Sequence, residues 1–142
     1  MTKSRLGIVG VVLVLLFYAL TTVGADTRRR ECAVCGMWID QYEHTKHVVN
    51  LRGGNTEYFC SIACASKYID VNGREIYKIK VADFITKQLI DADYAFYLVD
   101  SNIPGVMSYI SMIAFSTSKS AEEFREIHGG KIMTFEEALS SQ

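Results

Sequence analysis

Shifted against itself by 56 positions, the chain matches without a gap. Phe59 falls on Phe115, Ala65 on Ala121, Tyr68 on Phe124, Val71 on Ile127, Gly73 on Gly129 and Ile76 on Ile132. Upstream, Trp38 falls on Tyr94. The matched positions are apolar or glycine in both copies, as a shared core and a shared turn require. Such a chain is expected to fold as two copies of one small unit.

Each copy reads locally in the same order. Lys46–Leu51 and Thr56–Phe59 are β-branched or aromatic stretches around Arg52-Gly53-Gly54-Asn55, a hairpin signature. Ser61 is placed to cap a helix running to Tyr68 or Asp70 and ended by Asn72-Gly73. Ile76–Val81 then alternates as a strand. In the second copy, Ala95–Val99 and Ser108–Phe115 read as strands around Pro104-Gly105. Ser118 or Ser120 opens a helix with Ala121, Phe124 and Ile127 on one face, and His128-Gly129-Gly130 closes it. Lys131–Phe135 is the last strand, and residues 82–92 connect the copies. The expected fold is α+β, two tandem β-β-α-β units over residues 31–81 and 91–139.

The four cysteines are confined to the first copy. Cys32 and Cys35 form a C-x2-C turn, and Cys60 and Cys64 sit four apart across a strand end and the first helical turn. Both pairs present their sulfurs to one side, so four thiolates can converge as Zn²⁺ or Cu(I) requires. The positive end of the helix at Ser61 is expected to help lower the thiol pKa values. Ser116 and Ser120 replace Cys60 and Cys64 in the second copy, so the shared fold does not need the thiols. Two structural disulfides or a thiol-exchange pair are the alternatives for cysteines outside the cytoplasm.

That compartment follows from the amino terminus. Lys3 and Arg5 precede an apolar run over residues 6–23, and Val23-Gly24-Ala25 offers the small residues of a cleavage site. Residues 1–25 read as a signal peptide or as an uncleaved membrane anchor, 18 apolar residues being the lower limit for a span. Either places the rest of the chain in the periplasm or another extracytoplasmic space. Without residues 1–25, 13 basic side chains face 16 acidic ones, a net charge of −3. This balance argues against nucleic-acid binding through a basic surface.

Among the remaining soft or basic ligands, Met107 follows Pro104-Gly105-Val106 at a turn and is a candidate Cu(I) thioether ligand. Met37 reads as core or as a further thioether, and Met112 and Met133 as core. His44 and His47 bracket Lys46 in a polar stretch and read as solvated; His128 reads as a helix C-terminal residue complementing the dipole. No Ser-His-Asp set, carboxylate pair, phosphate loop or cofactor fingerprint stands out, so an enzymatic reading has no residues to rest on.

Three motifs in order, Cys32-x2-Cys35-Gly36-Met37, Phe59-Cys60-Ser61-x2-Cys64 and Met107 with Ala114-Phe115, Ala121, Phe124 and His128-Gly129-Gly130, resemble the NosL family, accessory proteins of nitrous oxide reductase. The resemblance covers nearly all of residues 32–139. It implies an exported, non-enzymatic protein of two β-β-α-β units that binds Cu(I) and passes it to a copper-receiving partner such as nitrous oxide reductase. Met107 is carried over as a ligand, although Ser108-Tyr109 follows it where the family tends to have glycine or a nearby histidine. Family members are often lipoproteins, whereas Cys32 lies between Glu31 and Ala33 with no lipid-attachment box before it. A structural Zn(Cys)4 or disulfide-stapled interaction module is the alternative to the copper reading.

Overall fold

A computed structural model describes residues 30–142. The expected signal or anchor, residues 1–25, lies outside the described residues. No helix among the described residues is long and apolar enough to cross a membrane.

The elements are β1 (His47–Leu51), β2 (Thr56–Phe59), α1 (Ile62–Asn72), β3 (Ile76–Ala82), β4 (Leu89–Asp91), β5 (Phe96–Val99), β6 (Met112–Phe115), α2 (Ser118–His128), β7 (Lys131–Met133) and α3 (Phe135–Ser140). They form a four-stranded sheet of order β2-β1-β3-β4 and a three-stranded sheet of order β6-β5-β7. All strand pairs are antiparallel, and in each sheet the first strand of a β-β-α-β run is central, flanked by its hairpin partner and by the strand after the helix. The mixed α+β character and the repeated order agree with the sequence reading.

The 56-residue offset holds from β2 through α1, which map onto β6 and α2. It fails upstream. The hairpin loop spans residues 52–55 in the first half and 100–111 in the second, eight residues more, so Trp38 and Tyr94 are not equivalent. That longer loop also corrects the expected strand Ser108–Phe115, which begins only at Met112. The loop doubles back on itself at Gly105, where a Cβ would meet the Ser108 carbonyl oxygen at 2.2 Å and the Ile110 carbonyl oxygen at 2.8 Å. Only glycine fits that approach.

Three further corrections are local. Residues 82–92 are not a plain connector, because β4 pairs with β3 in the register Lys80–Asp91, Val81–Ile90 and Ala82–Leu89. Thr117, not Ser118 or Ser120, caps α2, its hydroxyl accepting the Ser120 N–H at 3.1 Å. The last strand stops at Met133, because Thr134 and Glu137 form a capping box that opens α3 with Phe135 buried.

The halves share one core. Ile62 and Val81 of the first half pack with Tyr97, Val99 and Phe135 of the second. A second cluster is built around the cysteines with Val49 and Phe59, and a third places Leu98, Phe115 and Ala121 beneath α2. Met112 is buried and Met133 packs against the shared core, as expected.

Candidate metal centre

The cysteine site begins with a tight turn at residues 32–37. The Cys32 N–H donates to the Met37 carbonyl at 2.8 Å and the Gly36 N–H to the Cys32 carbonyl at 2.9 Å. Gly36 closes the turn at φ 74°, a conformation that glycine adopts without steric cost. The Ala33 N–H donates to the Tyr58 carbonyl at 2.9 Å, which fastens the turn to β2 two residues before Cys60. Cys64 lies in the first turn of α1, where side chains tilt toward the helix N-terminus and hence back toward Cys60.

The result is convergence. All four Sγ atoms lie within 4.8 Å of one another, with Cys35–Cys60 at 3.6 Å and Cys60–Cys64 at 3.7 Å. No disulfide joins them, since the S–S bond is only about 2.05 Å long. Four sulfurs about 2.3 Å from a central ion stand about 3.8 Å apart along the tetrahedron edges, so the donor set has the dimensions of a thiolate metal site. Cys32, Cys60 and Cys64 are buried, and Cys35 is half-buried, the least buried of the four.

The electrostatics differ from the sequence expectation. Burial opposes ionisation of Cys32, but N–H groups of Cys35, Cys60 and Val34 and the Cys35 thiol bond to its sulfur and bring its pKa down to about 7. Burial and the Cys35 thiol push Cys60 far above the usual thiol range, and burial with the charge on Cys32 pushes Cys64 up to about 12. Beside the helix end at Ser61 desolvation outweighs any lowering, and Cys60 and Cys64, both at 0% exposure, stand above the usual thiol range. A metal entering the site must displace protons from Cys60 and Cys64.

Met107 is not brought into the cysteine set by any bond, yet its neighbour is. Val106 packs against the cysteine cluster, so the long loop 100–111 of the second half reaches the site. Met107 follows at φ 58°, a backbone conformation unusual for methionine, and is 45% exposed. Met37 accepts a hydrogen bond from the Tyr42 hydroxyl at 2.7 Å.

Two residues next to the site escaped the sequence reading. His47 is buried, not solvated, and burial lowers its pKa to about 4. No alternation along the strand marks it, since His47, Val48 and Val49 are all buried. Thr45 donates its hydroxyl to the Cys60 carbonyl at 2.8 Å, a contact with no sequence signal. His44 is exposed with Nδ1 2.6 Å from the Phe84 carbonyl, and His128 at the end of α2 bonds Asn102 and stacks on Phe124.

Two small sheets with their helices, and one buried four-thiol cluster of metal-binding dimensions, define a metal-site α+β protein. The chain belongs to the NosL family, whose profile matches residues 24–141. It is 32% identical over 122 residues to the copper-binding lipoprotein NosL of Stutzerimonas stutzeri; the alignment covers 75% of this chain and 60% of that relative's length. It also matches the crystal structure of the copper chaperone NosL from Shewanella denitrificans with a TM-score of 0.72 and 26% identity, over 83% of this chain and 96% of that one. A solution structure of apo-NosL from Achromobacter cycloclastes matches at a TM-score of 0.44 and 24% identity, over 63% of this chain and 81% of that one.

Proposed function

We propose that this protein is a non-enzymatic, extracytoplasmic Cu(I) carrier that holds the ion on Cys32, Cys35, Cys60 and Cys64 and delivers it to a copper-handling partner such as nitrous oxide reductase. The observation that carries the reading is the convergence of four unpaired sulfurs within 4.8 Å. Membership of a family whose relatives are named for copper binding and copper chaperoning supports copper as the cargo. Soft thiolates suit Cu(I), which accepts low coordination numbers and can be passed ligand by ligand. The half-buried Cys35 is the sulfur at which a partner's ligand enters, and Met107, next to the Val106 that packs against the cysteine cluster, is the thioether of a more labile position. Export through residues 1–25, as signal or anchor, would put the carrier in the periplasm or another extracytoplasmic space.

Burial of Cys32, Cys60 and Cys64 favours a second reading, a closed structural Zn(Cys)4 site. An anaerobic titration of the zinc-loaded protein with Cu(I), against a chelator of known affinity, separates the two. A carrier exchanges zinc for one tightly held Cu(I) per chain. Zinc retained at all four sulfurs, with no tight copper site, overturns the carrier reading.

A further inference from the structure

The turn that carries Cys32 and Cys35 has a twin in the second half that contains no cysteine. In residues 83–88 the Asp83 N–H donates to the Gln88 carbonyl at 2.8 Å and the Lys87 N–H to the Asp83 carbonyl at 2.8 Å. These are the bonds from Cys32 to Met37 and from Gly36 to Cys32, displaced by 51 positions. The Phe84 N–H donates to the Ala114 carbonyl at 2.8 Å, as Ala33 does to Tyr58, and Ala114 is the 56-residue counterpart of Tyr58. The strand pair that leads into each turn also matches, Glu31 with Trp38 and Ala82 with Leu89. Lys87 even keeps the left-handed backbone of Gly36, at φ 61° against 74°. A lysine pays for that conformation, where glycine does not.

The side chain at the head of each turn faces the corresponding donors. The backbone N–H groups of Val34, Cys35 and Cys60 favour the Cys32 thiolate. Asp83 accepts those of the corresponding residues: Ile85 at 3.0 Å and Thr86 at 2.8 Å on Oδ1, and Ser116 at 2.7 Å on Oδ2. Asp83, Thr86, Ser116 and Ser120 thus stand where Cys32, Cys35, Cys60 and Cys64 stand.

We infer that the second half is a metal site whose four ligands have been replaced, and that the Asp83 carboxylate does permanently what a thiolate centre does in the first half. On this reading the second unit opens at Asp83, ahead of residue 91. The inference rests on the four-cysteine metal reading and gives it a consequence. A carrier must survive loss of its ion, whereas small domains built on a structural metal unfold when it leaves. The carboxylate pins three N–H groups without any ion. It also ties the 83–88 turn to Ser116, just ahead of α2, so this turn is held whether or not metal is loaded.

Two experiments on the full exported chain test this. The first is hydrogen exchange of the zinc-loaded and chelator-stripped protein. The Ile85, Thr86 and Ser116 amides are expected to keep their protection in both states and to lose it by about tenfold or more in Asp83→Ala, whereas Val34, Cys35 and Cys60 lose protection on stripping. Loss of protection in both turns on stripping overturns the inference. The second transplants the site: with Cys32, Cys35, Cys60 and Cys64 all changed to serine, the substitutions D83C, T86C, S116C and S120C are added. One zinc per chain is expected, with cobalt(II) giving the absorption of a tetrahedral thiolate complex. No metal uptake by a folded transplant, while the natural chain binds, overturns the inference and leaves the four-cysteine reading standing. No uptake by the natural chain overturns that reading itself. Where the transplant does not fold, the exchange experiment on Asp83→Ala decides alone.

Discussion

His47 and Tyr97 meet in the shared core of the two halves, with Nε2 of the histidine 3.2 Å from the tyrosine hydroxyl. The other ring nitrogen lies 3.0 Å from the Thr45 carbonyl, which can only accept, so Nδ1 carries the proton and the tyrosine donates to Nε2. Burial raises the Tyr97 pKa well above its usual value and keeps this donor protonated. The chain of bonds continues from Thr45 to the Cys60 carbonyl.

Burial lowers the His47 pKa from 6.5 to about 4. The fold accepts the neutral ring, so this contribution to stability is complete above pH 6.5 and is lost as pH falls from there to about 4. The loss amounts to about 3 kcal/mol. Urea unfolding across this range is expected to show that slope, and His47→Asn to lack it. An equal slope in the variant contradicts the assignment.

Thr45 holds the Cys60 backbone through one hydroxyl. Thr45→Val keeps the shape and removes the donor, and Cu(I) affinity in a chelator competition is expected to fall about tenfold. Thr45→Ser keeps the donor and is expected to retain affinity. Equal affinities in all three proteins would show that the contact does not position the ligand.

Asp83 gives a second acid-sensitive contribution. Desolvation opposes its ionisation, but the Thr86 and Ser116 donors outweigh burial and hold its carboxyl below the usual range. Its stabilising effect is present above the unfolded carboxyl pKa and is lost as pH falls through the depressed folded value. In Asp83→Asn, stability at pH 7 is expected to drop by about 2 kcal/mol, with the gap to the natural chain narrowing in acid. A gap that stays constant with pH counts against the charged form as the stabilising one.

Thr134→Ala removes the cap of α3 and is expected to cost about 1 kcal/mol by thermal or urea unfolding while leaving copper affinity unchanged. Met107→Ala should do the reverse, since its side chain is 45% exposed: an unchanged unfolding midpoint and Cu(I) held severalfold more weakly. Unchanged affinity removes Met107 from the ligand set.

The repeat, the helices and the convergence of the cysteines were legible because they rest on short-range signals: apolar period, a C-x2-C turn, and a four-residue step over a helix start. Most of what was missed depends on long-range contacts. The equivalence of Asp83 with Cys32 is hidden because the offset changes from 51 to 56 between the turn and the helix, and because a carboxylate and a thiolate look unrelated as letters. His47 read as polar and solvated because its burial comes from Tyr97, 50 residues away. The end of β7 was legible and overlooked, since Thr134-x2-Glu137 is a capping-box pattern. The shared core settled the rest: Phe135 is buried by turning into a helix, not by extending a strand.

X-ray absorption at the copper edge of the anaerobically loaded protein tests the central claim most directly. The account predicts one Cu(I) per chain with a shell of sulfur scatterers only, lost in any variant that changes Cys32, Cys60 or Cys64 to serine. A shell dominated by nitrogen or oxygen, or one unchanged by those substitutions, would contradict it.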